Sequence, residues 1–267
     1  LWKKLTPKVK SAVPLKGKPG ELQIDLVGKF KLVPNEEVQN YVRRIGESLI
    51  PPYHRSLPDG DPNKIPFGFY LVEAKAANAF ALANGTVVVF SPMFELLENE
   101  AQLAAVIGHE MAHATQEHSY RQLQYQKKKL FALRLGAAVA AGFGAYTIRD
   151  IANLVEAAVR TGYSRSLENQ ADRLGLEHMI AARYDPREAP KVWKAITRKY
   201  GDTPRILTFW SSHENNTTRR SFLMAELKNN YADLQWDSFQ KNEEQFSKMA
   251  GVLRTASGKP QKVKVKY

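Results

Sequence analysis

His109-Glu110-Met111-Ala112-His113 decides how this chain is read. It sets two imidazoles four residues apart, with a carboxylate directly after the first. On an α-helix the i and i+4 side chains lie one above the other, so both rings can reach a single ion. Glu110 is turned by about 100° from His109, beside such an ion rather than on it, where it can take a proton from the attacking water. The pattern points to a zinc hydrolase, most often a peptidase. Its flanks point to burial. Ala101 to Gly108 runs into the motif as a largely apolar segment, and Met111, Ala112 and Ala114 continue it. A helix apolar on most of its circumference is buried, and buried His and Glu need partners.

Catalytic zinc takes three protein ligands and leaves one position open. The extended metzincin pattern needs a glycine and a third histidine beyond His113, but Gln116 and Ser119 stand there and His118 is one residue out of register. The chain has no cysteine, so a thiolate ligand is excluded as well. A carboxylate from a second helix remains. Past Glu117 the next acidic residues are Asp150, Glu156 and Glu168. Glu168 is the best placed, because Glu168 and Asp172 share one helical face. Asp172 can then accept a hydrogen bond from the free ring nitrogen of a ligand histidine and fix its orientation. A solvated acidic face would have the same spacing, so the third ligand stays open on spacing alone.

Beyond these residues, the chain resembles the zinc metallopeptidases that include HtpX, BepA, the Oma-type proteases and the CAAX prenyl endopeptidases. That family pairs HExxH with a downstream ExxAD, and Glu168-Asn169-Gln170-Ala171-Asp172 matches it. Asn78-Ala79-Phe80-Ala81-Leu82, followed by Asn84 to Val89, is similar to the family's strand ahead of the active-site helix. Ser212-His213 with Arg219 resembles its later His-Pro-x-x-x-x-Arg element, although Glu214 stands where the family has proline. The resemblance spans about residues 35 to 222. It implies one Zn²⁺ per chain, held by His109, His113 and Glu168 in a gluzincin-type site, with Glu110 as general base and Asp172 behind the ligands. It implies that His213 sits near the metal, as a second catalytic group or an occluding ligand. Asn78, Ala79, Phe80 and Arg219 are the expected substrate contacts.

The 267 residues suffice for one domain with a substantial core. The expected layout is a basic extended arm over 1–34, a catalytic domain over 35–250 and a basic tail over 251–267. The net charge of +12 is concentrated at those ends, where Lys3, Lys4, Lys8 and Lys10 face Lys259, Lys262, Lys264 and Lys266 across the chain's length. Such tails suit anionic membrane surfaces or nucleic acid. No recognised nucleic-acid motif accompanies them, so peripheral membrane contact is expected and nucleic acid is not. The absence of cysteine leaves the compartment open. The chain starts at Leu1 without a signal-like stretch, which reads as a mature or truncated form. No segment reads as a transmembrane helix, and Leu135 to Ile148 is apolar but too short. The family resemblance makes a periplasmic or membrane-associated location in the cell envelope the expected one.

Along the chain the periodicity predicts an α+β, mainly helical fold with a small sheet. A short strand is expected near Glu21 to Val27. Asn35 caps a helix that ends before Pro51-Pro52. Phe67 to Ala74, Ala77 to Leu82 and Thr86 to Phe90 read as strands, and Asn99 caps the active-site helix. Further helices are expected near 149–162, 165–182, 186–200 and within 219–250. Trp193, at the centre of one of them, reads as core. An outer strand beside the active-site helix would bind an extended or misfolded polypeptide by strand addition. The function expected is therefore zinc endopeptidase action on such segments, in envelope protein quality control. A peptide-binding holdase or assembly factor with a latent zinc site is the alternative, followed by an exopeptidase.

Overall fold

The computed structural model describes residues 18–24, 28–61, 63–119, 121, 163–201 and 216–256. The helix expected near 149–162 and the segment 135–148 lie outside these residues. Two short strands lie in the segment where one was expected. Strands β1 (Glu21–Ile24) and β2 (Gly28–Lys31) pair as an antiparallel hairpin, with Leu22 opposite Phe30. Helix α1 (Glu36–Leu49) starts at Asn35, whose side chain accepts from the Val38 backbone N–H at 3.0 Å. Gln39 on α1 ties the helix to the sheet. Its amide donates to the Leu71 carbonyl at 2.7 Å and accepts from the Leu71 N–H at 3.0 Å.

The sheet has three strands, β3 (Gly68–Val72), β4 (Ala79–Ala81) and β5 (Thr86–Phe90), in the order β3-β5-β4. β5 runs parallel to β3 and antiparallel to β4, with Phe80 opposite Val88. Side chains alternate between its two faces. Phe69, Leu71, Ala79, Val87 and Val89 belong to the main core, whereas Val72, Phe80, Leu82 and Val88 meet Leu22 and Ile24 of the hairpin. β4 is an edge strand, and it packs beside α2 (Glu100–Thr115).

Helix α2 is buried from Glu100 to Ala114, as expected of a helix apolar nearly all round. Its first turn is closed by the Asn99 side chain on the Gln102 N–H at 2.9 Å and by the Lys241 carbonyl on the Glu100 N–H at 3.0 Å. The longer helices that follow among the described residues are α3 (Arg165–Ala181), α4 (Ala189–Tyr200), α5 (Asn216–Asn230) and α6 (Glu243–Ala256), and single-turn helices stand at Pro52–Arg55 and Met93–Leu96. A 3₁₀ turn at Pro186–Glu188 leads into α4, capped by Asp185. Helix α6 continues beyond residue 250 to Ala256, and Leu253 on it is buried in the main core. The fold is mainly helical α+β, as the periodicity implied.

Helices α2 and α3 approach each other closely, and glycine permits it. A Cβ at Gly175 would meet the His109 backbone nitrogen at 3.2 Å, and one at Gly108 would meet the Gly175 carbonyl oxygen at 3.3 Å. Backbone on backbone cannot yield as a flexible side chain can. Gly175→Val should therefore lower stability by about 1–3 kcal/mol through overpacking, read as a depressed thermal midpoint. An unchanged midpoint would show that the two helices are free to move apart.

Candidate active site

Because α2 and α3 touch, the side chains one turn along each helix converge. His109, Glu110, His113 and Glu168 are all buried. The Nε2 atoms of His109 and His113 are 2.9 Å apart. Glu168 reaches both, with Oε2 at 3.5 Å from His109 Nε2 and Oε1 at 3.7 Å from His113 Nε2. Two ligands about 2.0–2.1 Å from a tetrahedral ion lie roughly 3.3 Å apart, so this triangle is of the right size. Among the described residues these three side chains are the one His/Cys/Asp/Glu group able to hold a metal ion.

The hydrogen bonds behind the triangle fix which nitrogens face it. Asp172 Oδ1 lies 3.0 Å from His109 Nδ1 and, as an acceptor, favours a proton there that leaves Nε2 its lone pair, while Arg219 Nη2 lies 2.9 Å from the same Nδ1 and 3.1 Å from Nε2. On the other side, Gln170 Oε1 accepts from Arg121 Nη1 at 3.2 Å and lies 3.1 Å from His118 Nε2. A carbonyl oxygen only accepts, so His118 carries its proton on Nε2. His118 Nδ1, 2.9 Å from His113 Nδ1, then accepts from it. That leaves the lone pair of His113 Nε2 pointing at the triangle. Burial drives the His118 pKa down to about 4, which keeps the ring neutral and this chain of bonds in one sense. Two lone pairs and a carboxylate turned on one point, out of water, fit a cation and little else.

Arg219 sits behind the ligands. It is fully buried, with Nε donating to Asp172 Oδ2 at 2.9 Å and a second bond to Asp172 Oδ1. Its Nη1 lies 3.1 Å from Glu168 Oε2, and its guanidinium stacks on Trp193 at 3.5 Å from the ring centre. Burial pushes the Asp172 carboxyl up, but Arg219 and the bond to His109 outweigh it and hold Asp172 below the usual carboxylate range. Burial and Arg219 pull His109 down, and the bonds to Asp172 and Glu168 reverse this to a net rise. Tyr163 closes the far side, stacked on His113 at 4.0 Å with its hydroxyl 2.8 Å from that of Ser119.

Glu110 stands apart from the triangle. Both of its oxygens are buried without a hydrogen-bond partner among the described side chains, and burial lifts its pKa to about 8 against the pull of His109. The backbone of Ala81, on the edge strand, is close enough to favour its charged form. Asn78 and Phe80 hold the strand rather than point at the triangle. The Asn78 side chain accepts from the Ala79 N–H at 2.9 Å, and Phe80 packs in the hairpin core 5.8 Å from Phe30. His213, with the neighbouring Phe209 and Trp210, lies outside the described residues. Sequence reading passed over His118 as out of register for a ligand. Its role depends on Glu117, whose left-handed φ of 53° ends α2 and folds His118 back onto His113.

A buried HExxH helix held against a second helix that supplies a carboxylate is the architecture of a metallopeptidase. The family model for peptidase family M48 matches residues 36–227, and the chain belongs to that family. It is 29% identical over 176 residues to the beta-barrel assembly-enhancing protease of Escherichia coli K12, covering 62% of this chain and 34% of the relative. It is 30% identical over 191 residues to the mitochondrial metalloendopeptidase OMA1 of Saccharomyces cerevisiae, covering 68% and 53%. The Arabidopsis thaliana OMA1 is 31% identical over 157 residues, covering 58% and 30%. The chain thus spans between about a third and a half of the relatives it matches.

Two substitutions separate the supports. His118→Phe should keep the helical circular dichroism and lower metal affinity about 10–100-fold in a chelator competition. Affinity equal to wild type would remove His118 from the site. Arg219→Met leaves two buried carboxylates without their cation, so the metal-free protein should lose about 3–5 kcal/mol in urea unfolding. A loss under about 1 kcal/mol would mean that the carboxylates are neutral without it.

Proposed function

We propose that the chain is a zinc-dependent endopeptidase that hydrolyses peptide bonds in extended or misfolded polypeptide segments, in protein quality control of the cell envelope. The reading is carried by one juxtaposition: a buried Glu110, without a side-chain hydrogen-bond partner among the described residues, between the His109–His113–Glu168 triangle and the backbone of an edge strand. Zinc, when bound by those three residues, supplies Lewis acidity toward the scissile carbonyl and acidifies the attacking water.

The chain's own groups do the remainder. In an antiparallel pair the residues alternate between bonding the partner and facing away from it. Leu82 donates to Thr86 and Asn78 accepts from Phe90, so Ala79 and Ala81 turn their backbone groups to the open edge. An extended peptide lying there would run past Glu110 and pair mainly through the outward carbonyls, since the Ala79 N–H is held by the Asn78 side chain, with little demand on sequence. Glu110 takes the proton of the attacking water and delivers it to the leaving amine. Its raised pKa suits both halves of that transfer, since a group titrating near neutrality can accept and release. His109 and His113 are kept in fixed tautomers by Asp172 and His118, so neither competes for that proton. The resemblance to the family makes His213 our candidate for a second catalytic group. The names of the relatives, a beta-barrel assembly-enhancing protease and mitochondrial metalloendopeptidases, support endopeptidase action. No described helix is long and apolar enough to cross a membrane, so we place the chain at the envelope peripherally, through its basic tails.

Casein digestion tests this directly. Glu110→Gln should retain one metal ion and lose about 10²–10⁴-fold in rate. Chelation should abolish wild-type cleavage, and stoichiometric zinc should restore it. Cleavage by Glu110→Gln at the wild-type rate would overturn the assignment of the base. Restoration by another divalent ion but not by zinc would overturn the metal.

A further inference from the structure

The helices that bring Trp193 and Arg219 to the site turn their opposite faces to a groove of about 1000 Å³. Leu96, Pro190 and Leu227 line it as buried apolar side chains. Met224 stands in it at 51% exposure, one of only two large hydrophobic side chains so exposed among the described residues. Cations stand along both sides. Lys191, Lys194 and Arg198 share one face of α4, and Arg220 and Lys228 flank Met224 on one face of α5. Lys191 is paired with Glu188, and Arg187 at one end is paired with Asp185. Lys194, Arg198, Arg220 and Lys228 make no ion pair to any described residue. Only Glu95 and Glu98 bring negative charge to the lining.

Unpaired like charges on facing helices repel each other, and an exposed methionine gains nothing from water. Both costs are relieved by one kind of occupant, apolar along its centre and anionic along both edges. The rise from Lys191 to Arg198 and from Arg220 to Lys228 is roughly 10–12 Å, which carboxylates at i, i+4 and i+8 of a helix also span. We propose that this groove docks an acidic amphipathic helix of a protein partner. The partner's apolar stripe lies on Met224 and Leu227, and its carboxylates lie on the two cationic edges. Methionine suits such a contact because its side chain adapts to varied apolar shapes. A flat anionic bilayer would reach the cationic edges and leave the apolar lining uncovered. The proposal does not depend on peptidase activity.

The probe is a fluorescein-labelled synthetic helix about four turns long, with leucine along one stripe and glutamate on both flanks. Its binding is followed by fluorescence anisotropy in the full chain carrying Glu110→Gln, so that the site cannot consume it. The paired substitutions Lys194→Glu/Arg198→Glu and Arg220→Glu/Lys228→Glu should each weaken binding at least about tenfold, with circular dichroism unchanged. Met224→Gln should weaken it as well. Lys31→Glu/Lys248→Glu, an equal change of charge elsewhere, should alter binding less than about twofold. Equal loss from that distant pair, or no binding of the probe, overturns the proposal. So does tighter binding of phosphatidylglycerol vesicles or duplex DNA that the groove substitutions abolish.

Discussion

A guanidinium withdrawn from water holds the polar centre of this protein together. Arg219 reaches from α5 to Asp172 and Glu168 on α3, lies against His109 of α2 and stacks on Trp193 of α4. Four helices are therefore registered on one cation. Three carboxylates, Glu110, Glu168 and Asp172, share its neighbourhood and are all buried. With all three ionised, Arg219 leaves an excess of two negative charges, which is the charge of a divalent ion. Among the three, Glu110 is the one that burial lifts to about 8, against the pull of His109 and Arg219. The carboxyl farthest from Arg219's hydrogen bonds is the one that protonates. Asp172, held below the usual carboxylate range by Arg219 and His109, stays charged.

The two histidines are supported by different chemistry. Asp172 is an ionised carboxylate, and a carboxylate on the far nitrogen makes an imidazole a stronger donor. His118 is neutral and only fixes geometry, because burial keeps it from charging. The network continues from His118 through Gln170, which spans Arg121 and Gln116. It joins the end of α2 to the start of α3. The same residues that orient His113 therefore also hold the two helices in register near Glu168.

Most of this was legible from local pattern. Asn35 and Asn99 cap as their positions implied, and the β-branched run at Thr86 to Phe90 is a strand covered on both faces. The HExxH spacing with Glu168 and Asp172 gave a triangle that the tertiary contacts close. What local pattern did not carry is long-range or conformational. The hairpin over 21–31 is stabilised by packing on Val72, Phe80 and Val88, far along the chain, and a Lys-rich stretch gives no hint of that. His118 is placed by a single left-handed residue that is not a glycine, and no periodicity reports it. Gly108 and Gly175 read as helix-weakening residues, and their value lies in an approach between two helices that one sequence cannot show.

An open sheet edge beside a reactive centre is a liability as well as a tool, because any extended chain can pair with it. Here the exposure is confined. β4 is only three residues long, and one of its two outward-facing N–H groups, that of Ala79, is already taken by the Asn78 side chain. The backbone of Ala81 faces Glu110, so the remaining donor is committed to the centre of the site. A stray strand would gain few hydrogen bonds at this edge. On the proposed function, a polypeptide that also reaches the triangle would add the interaction of its carbonyl with a metal held there, which offsets the cost of displacing these contacts. On the proposed function, such an edge would select for a bond that can be presented for cleavage more than for sequence.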